Sequence, residues 1–312
     1  MDKPLVLVSP RSVTARPLAE VAELEPLRAA GYELVAAGLG AMPSEAELLA
    51  LVPRCVGWLA GVEPVTARVL AAAPRLRAIS RNGTGVDNID LAAAAAHGVV
   101  VERAAGANAQ GVAELTFALA LAALRGIPWS AEALRAGRWE RSAGRELGDV
   151  TVGVVGLGEI GRRVARGFTA LGARVIGHDP FVPTADVATM PLDRLLAAAD
   201  VLTLHVPALQ DGPLITVDAI ARLRDGAVLV NTARAALVDD QAVLAALESG
   251  RLAAYAVDAF DAEPPGPSRL LAHPRVIATP HLGGYTDASI RRAVAEAADR
   301  LVIALAGTEG RR

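Results

Sequence analysis

The amino-acid sequence predicts an α/β protein built on two doubly wound parallel sheets. Three observations lead there. Short apolar segments of strand length alternate with helix-patterned segments along nearly all of the 312 residues. Glycine or proline marks most junctions between them, as breakers do. Hydrophobic residues make up 53% of the chain, enough to fill sizeable cores. Strands alternating with helices imply parallel pairing, with helices covering both faces of a sheet.

In the first third, five segments read as strands: PLVLVS (4–9), GYELVAAG (31–38), CVGWLAG (55–61), LRAISRNG (76–83) and GVVVERA (98–104). Helical spacing falls between them, over residues 18–30, 44–52, 65–73 and 88–97. A longer helix is predicted over 108–124, followed by a polar, tryptophan-containing stretch to Gly148. Six further strands then read TVGVVG (151–156), ARVIGHD (173–179), VLTLHVP (201–207), AVLVNTA (227–233), LAAYAVDAF (252–260) and RVIATPH (275–281). A final helix is predicted over 287–306. No fixed-period repeat is present. The pattern divides into two lobes near residues 100–108.

The formal charge of −3 offers no pull toward nucleic acid or an anionic membrane. A single cysteine, Cys55, excludes an internal disulfide and reads as a small core residue. The apolar run in MDKPLVLVSP is too short for a signal peptide, and 115–124 is far too short for a membrane span. The expectation is a cytoplasmic protein with no nucleic-acid partner, no membrane partner and no metal.

The strand TVGVV runs into Gly156-x-Gly158-x-x-Gly161, which opens a helix. That context is what a dinucleotide fingerprint requires. Gly156 permits a tight turn, Gly158 lets backbone approach a pyrophosphate, and Gly161 lets helix pack on strand. The helix N-terminus offers free N–H groups to the phosphates. Asp179 ends the next strand, 18 residues past Gly161, near the position of a ribose-binding carboxylate. A carboxylate there repels a 2′-phosphate, so NAD is favoured over NADP. Arg162 and Arg163 complicate this sign, unless they are solvated helix surface.

Arg234 interrupts AVLVNTARAALVDD, a run that otherwise reads as a buried strand turning into a helix. A guanidinium keeps its charge, so burial without an anionic partner is costly. A 2-oxo carboxylate would match its planar fork. Acid–base chemistry on the carbonyl needs a further group, and five histidines are available. His97 precedes Gly98 and reads as a helix cap. His178 sits beside Asp179, and His273 lies in a loop. His205 ends a strand, in a structural or cofactor-supporting place. His281 follows a strand and precedes a glycine pair. Glu263 follows another strand; a glutamate bonded to a histidine would fix its tautomer and favour its charged form.

Taken in order, RNGTGVDNIDL, WERSAGREL, GVVGLGEIGRRVA, NTARAALVD, VDAFDAEPP and TPHLGGYT resemble the successive signatures of the D-isomer-specific 2-hydroxyacid dehydrogenases. The resemblance covers roughly residues 50–300 and is closest to the phosphoglycerate dehydrogenase type, in its short form without a regulatory domain. It implies NAD as cofactor and a small 2-oxo or 2-hydroxy acid as substrate. It places the catalytic arginine, glutamate and histidine on Arg234, Glu263 and His281. Cofactor contacts fall on Gly156, Gly158, Glu159, Ile160, Gly161, Asp179, His205, Val206, Pro207, Thr232, Ala233 and Asp258, the last beside the nicotinamide carboxamide. Substrate contacts fall on Arg81, Asn82, Gly83, Thr84 and Gly85, with backbone amides of 82–85 holding the carboxylate.

The resemblance also implies a Rossmann-like cofactor domain (101–284) inserted into a flavodoxin-like substrate domain (1–100 plus 285–312), with a cleft between them. Dimerisation would use the cofactor domain, through 108–124 and the Trp129–Trp139 segment; ordinary anchoring is the other reading of those tryptophans. Three departures stand out. Ala60 occupies the place of the arginine that holds a substrate phosphate, and Glu63 nearby would repel one. Ala235 replaces a glycine, which would strain the chain if φ were positive there. These departures point away from phosphoglycerate. The rival readings are an NAD-sensing protein resembling the family's transcriptional co-repressors, and phosphite or formate oxidation on the same fold.

Overall fold

A computed structural model describes residues 3–182 and 186–308, and every strand pairing in it is parallel. The chain divides into two units, Met1–Asn108 with Thr286–Arg312, and Ala109–Tyr285.

The first unit holds β1 (Leu5–Val8), β2 (Glu33–Ala36), β3 (Cys55–Ala60), β4 (Ala78–Arg81) and β5 (Val100–Arg103), in the order β2-β1-β3-β4-β5. The apolar alternation fills both faces. Trp58, Leu70 and Ile79 are buried on one, and Val6, Val8 and Leu59 on the other. The final helix, Asp287–Thr308, packs Val294, Leu301 and Leu305 onto that second face. Because β5 belongs to this sheet, the division falls between Asn108 and Ala109 rather than at residue 100.

Residues 18–30 do not form the single helix that their spacing predicts. They form two 3₁₀ turns, Leu18–Glu20 and Ala22–Leu24, and a short helix, Glu25–Ala29. Pro26 brings no N–H to a helical ladder. The Arg28 guanidinium instead takes the carbonyls of Leu18 and Val21, each at 3.0 Å.

The second unit holds β6 (Thr151–Val155), β7 (Arg174–His178), β8 (Ala188–Thr189), β9 (Val201–Leu204), β10 (Ala227–Asn231), β11 (Leu252–Val257) and β12 (Val276–Ala278). Their order is β12-β11-β10-β9-β6-β7-β8. The order reverses between β6 and β9, the kind of place where open parallel sheets bind ligands. The short edge strand β8 was not predicted. Nor was the helix Ile127–Arg135, which starts where Gly126, at φ +62°, breaks the preceding helix Ala109–Arg125. Pro128 near its start suits a helix N-terminus.

Among the described residues no single helix is long and apolar enough to cross a membrane. The two helices joined at Gly126 reach that length only together, bent by 62°.

Candidate active site

Each glycine of the predicted phosphate cradle meets a different demand. Gly156 has φ +89°, and a Cβ there would lie 2.4 Å from the carbonyl oxygen of His205. Gly161 brings the helix Glu159–Ala170 so close that a Cβ would lie 1.8 Å from the Gly156 carbonyl oxygen. Gly158 is open, with nothing within 4 Å of an added Cβ. It is also the N-cap of that helix, and no side chain caps it. The free N–H groups and open approach are those an anion needs.

Asp179 stands at the end of β7. Its Oδ2 accepts the Leu157 amide at 2.8 Å, inside the cradle, and Oδ1 accepts the amides of Phe181 and Val182. Burial raises its carboxyl, but these three amides outweigh it and hold the group below the usual range. Arg162 and Arg163 both bind Glu159, at 2.9 and 2.6 Å, so their charge is spent on the helix surface. Ile160 is half-buried against the core of this unit.

Across the reversal, His205 follows β9, and its amide donates to Val155 at 2.7 Å. Both ring nitrogens are buried without a hydrogen bond. Burial pushes the imidazole down to about 3, so it is neutral at ordinary pH. Val206 is half-buried behind it, and Pro207 is exposed.

Arg234 follows β10. Asn231, wholly buried at the strand's end, shapes the turn before it. Its Nδ2 donates to the Arg234 carbonyl at 2.8 Å, and its Oδ1 accepts the Ala233 amide at 3.1 Å. Arg234 Nη1 returns to the Ala233 carbonyl at 2.8 Å. Thr232 bonds through its hydroxyl to Thr116 of the long helix, at 3.0 Å. Ala235 opens a 3₁₀ turn and is not among the residues with positive φ, so the expected strain is absent.

Asp258 follows β11 and is 2% exposed. Oδ1 accepts the Thr279 hydroxyl at 2.6 Å and the Leu282 amide at 2.7 Å, and Oδ2 accepts the Gly283 amide at 2.8 Å. The carboxylate thus holds the loop after β12 that carries His281. His281 has φ +54°, uncommon for a residue with a side chain. Strain of this kind clusters at functional sites. Its Nδ1 lies 2.6 Å from Glu263 Oε1, and both side chains reach solvent.

The register aligns Asn231 with Val257, and Val257 with Ala278. Arg234, Glu263 and His281 therefore leave the same edge of the sheet, from strands about 4.8 Å apart. The cradle leaves that edge too.

In the first unit, Arg81 ends β4 and gives Nη1 to the Asn82 carbonyl at 2.7 Å. The reading that all four amides of 82–85 hold a carboxylate needs correction. The Asn82 amide donates to Ala60 and the Gly83 amide to Arg81, each at 2.8 Å. The Thr84 hydroxyl reaches Asn108 at 3.2 Å, anchoring the loop.

Sequence reasoning missed Asn231, Thr116 and Thr279. The signal for Asn231 was present: a polar residue closing an otherwise apolar strand. Nothing local marks Thr116, which acts through a partner far along the chain. Among the described residues no group of three or more His, Cys, Asp or Glu side chains could hold a metal ion.

A glycine cradle of this build at a sheet reversal marks a dinucleotide-binding α/β protein. Residues 117–283 match the family described as D-isomer specific 2-hydroxyacid dehydrogenase, NAD binding domain, and the chain belongs to that family. It is 42% identical over 274 residues to a D-3-phosphoglycerate dehydrogenase of Mycobacterium leprae, covering 85% of this chain and 52% of that protein. The chain therefore spans about half the length of the curated relatives it matches. Among solved structures it resembles the TT0316 protein of Thermus thermophilus, with TM-score 0.85, 32% identity and 97% of each chain covered. It also resembles a D-lactate dehydrogenase of Aquifex aeolicus complexed with NAD and lactic acid, with TM-score 0.82, 25% identity, and 97% and 96% covered.

NAD is the cofactor of this domain, and the residues present fit it: open space at Gly158, an uncapped helix N-terminus, and Asp179 at the neighbouring strand end.

Proposed function

We propose that this chain is an NAD-dependent D-2-hydroxyacid dehydrogenase that interconverts a small 2-hydroxy acid and its 2-oxo acid. The carrying observation is the His281–Glu263 pair, at 2.6 Å on the same sheet edge as Arg234 and the glycine cradle. When bound, NAD supplies the hydride acceptor, and its reduced form the donor.

Glu263 accepts the Nδ1 proton, so Nε2 is left for the substrate oxygen. In oxidation, Nε2 takes the hydroxyl proton while the C2 hydrogen leaves as hydride; in reduction it returns that proton. Arg234 holds the carboxylate and polarises the carbonyl with a fork that a point charge cannot copy. Cofactor binding is assigned to the second unit, which also carries Arg234, Glu263 and His281. Asp179 favours NAD over its 2′-phosphorylated form. A homodimer through the second unit is part of this reading, on the strength of exposed Ile127, Leu134 and Trp139. Trp129, held against the Arg275 guanidinium at 4.9 Å, is an anchor.

The test is NADH oxidation with glyoxylate, pyruvate, hydroxypyruvate, 3-phosphohydroxypyruvate and bulkier 2-oxo acids. Turnover with at least one of them is expected. NADH binding with no turnover of any 2-oxo acid overturns the reading.

A further inference from the structure

The helix Ala109–Arg125 packs across β10 and β11, the strands that lead to Arg234 and to Asp258 and Glu263. Its contact stripe is apolar: Ala113, Ala120 and Leu124 share one core with Val228, Val230, Ala254 and Ala256. Thr116 lies on that stripe, between Ala113 and Ala120 at helical spacing, and is fully buried. A hydroxyl taken out of water costs free energy unless it is bonded. This one is bonded twice.

Thr116 Oγ1 donates to the Val112 carbonyl, one turn back, at 2.8 Å. A hydroxyl has a single proton, so in the 3.0 Å pair with Thr232 it is Thr232 that donates and Thr116 that accepts. Thr232 begins the turn that presents Arg234. Asn231 holds that turn from the sheet, through the Ala233 amide and the Arg234 carbonyl. Thr116 holds it from the helix.

The same helical turn touches the loop that carries His281. A Cβ on Gly283 would lie 3.2 Å from Val112 Cγ2 and 3.1 Å from Asp258 Oδ2. Gly283 is therefore seated between the helix and the carboxylate that accepts its amide. His281 stands two residues before it. All of these residues belong to the second unit. Residues 112–116 thus meet both the Arg234 turn and the His281 loop, although the proposed chemistry uses none of them.

We propose that Thr116 is a positioning residue for the proposed reaction: by accepting the Thr232 proton it ties the Arg234 turn to the one helical turn that also seats the His281 loop, and so sets the guanidinium relative to the imidazole. This rests on the dehydrogenase reading above. The experiment is a double-mutant cycle of Thr116→Val and Thr232→Val, with Thr116→Ser as the conservative variant, read as kcat and KM for the 2-oxo acid that the wild type reduces best. Thr116→Val keeps the shape and loses the hydroxyl, so kcat/KM should fall about tenfold, mostly through KM. Thr116→Ser should recover most of that loss. The double variant should be no worse than the poorer single one, because both remove the same bond.

Amide exchange reads the positioning without turnover. In Thr116→Val the Ala233 amide, held by Asn231, should exchange about tenfold faster. The Val228 amide, bonded to Asp200 at 2.9 Å near the start of the same strand, should keep its wild-type rate. Equal acceleration at both amides, losses that multiply in the cycle, or a serine variant as poor as the valine one overturns the proposal. If the wild type reduces no 2-oxo acid, the dehydrogenase reading fails by itself and exchange judges Thr116. Acceleration confined to the Ala233 amide then upholds its role, and any other pattern overturns it. Should Thr116→Val fail to fold, Thr232→Val removes the same bond from its half-buried end and takes its place.

Discussion

His281 keeps Nδ1 within 2.6 Å of Glu263 Oε1 while its backbone holds φ at +54°. Such a backbone costs on the order of 1–3 kcal/mol and persists only where surrounding bonds enforce it. His281→Ala should cut turnover about 10²–10⁴-fold, the usual worth of a positioned acid–base group. NADH affinity, measured by fluorescence titration, should be largely kept. Glu263→Gln should lower turnover less, because an amide oxygen still orients the ring. Parallel loss of NADH binding in His281→Ala would contradict the assignment.

Arg234→Lys retains charge and loses the fork. The KM for the 2-oxo acid should rise and kcat fall, while NADH affinity stays near that of the wild type. Steady-state kinetics that match the wild type would exclude Arg234 as the carboxylate clamp.

Asp258→Asn puts an NH₂ group where three donors converge, from Thr279, Leu282 and Gly283. At least one buried donor goes unserved, which costs about 1–3 kcal/mol. Chemical denaturation should show that loss, and turnover should fall with it because the same loop carries His281. A variant unchanged in both would show that the carboxylate does not hold the loop.

Gly158→Ala and Gly161→Ala should behave differently. An added Cβ meets nothing at residue 158 but sits 1.8 Å from the Gly156 carbonyl oxygen at residue 161. The first variant should melt like the wild type and bind NADH about tenfold more weakly, roughly 1.4 kcal/mol. The second should lose both stability and binding. Wild-type NADH affinity in Gly158→Ala would place the pyrophosphate elsewhere.

His205 links stability to pH. Its folded value, about 3, lies below the ordinary 6.5. Below 6.5 the unfolded chain therefore binds a proton that the folded one refuses, and stability falls as pH falls from 6.5 toward 3. The slope is up to about 1.4 kcal/mol per pH unit. Above 6.5 this contribution is constant. His205→Gln should flatten the denaturation midpoint between pH 6 and 4 relative to the wild type. An equal slope in both proteins would mean that the ring is not kept neutral by burial.

Much of the fold was legible in the sequence because its signals are local. Alternating apolar segments marked eleven of the twelve strands among the described residues, and the glycines marked the cradle. The local signals failed where a distant side chain intervened. Arg28 captures the carbonyls of Leu18 and Val21, and a helical pattern becomes two tight turns. Asp258 was expected beside the carboxamide; its bonds to Leu282 and Gly283 depend on two strand ends lying side by side. Glu63 was expected only as a charge that repels a substrate phosphate; its place in a buried network depends on the approach of Ser9 and Trp58.

The sequence by itself determined the element types, the glycine cradle and the residue types available for proton transfer and anion binding, since these follow from periodicity, backbone freedom and side-chain chemistry. Tertiary structure alone decided the strand order, and with it which residues meet. Parallel pairing sets β10, β11 and β12 in register, so Arg234, Glu263 and His281 leave one edge although helices and loops separate them along the chain. The physical reason is that hydrogen bonding between strands is long-range: each strand declares its own pattern, but none declares its neighbour.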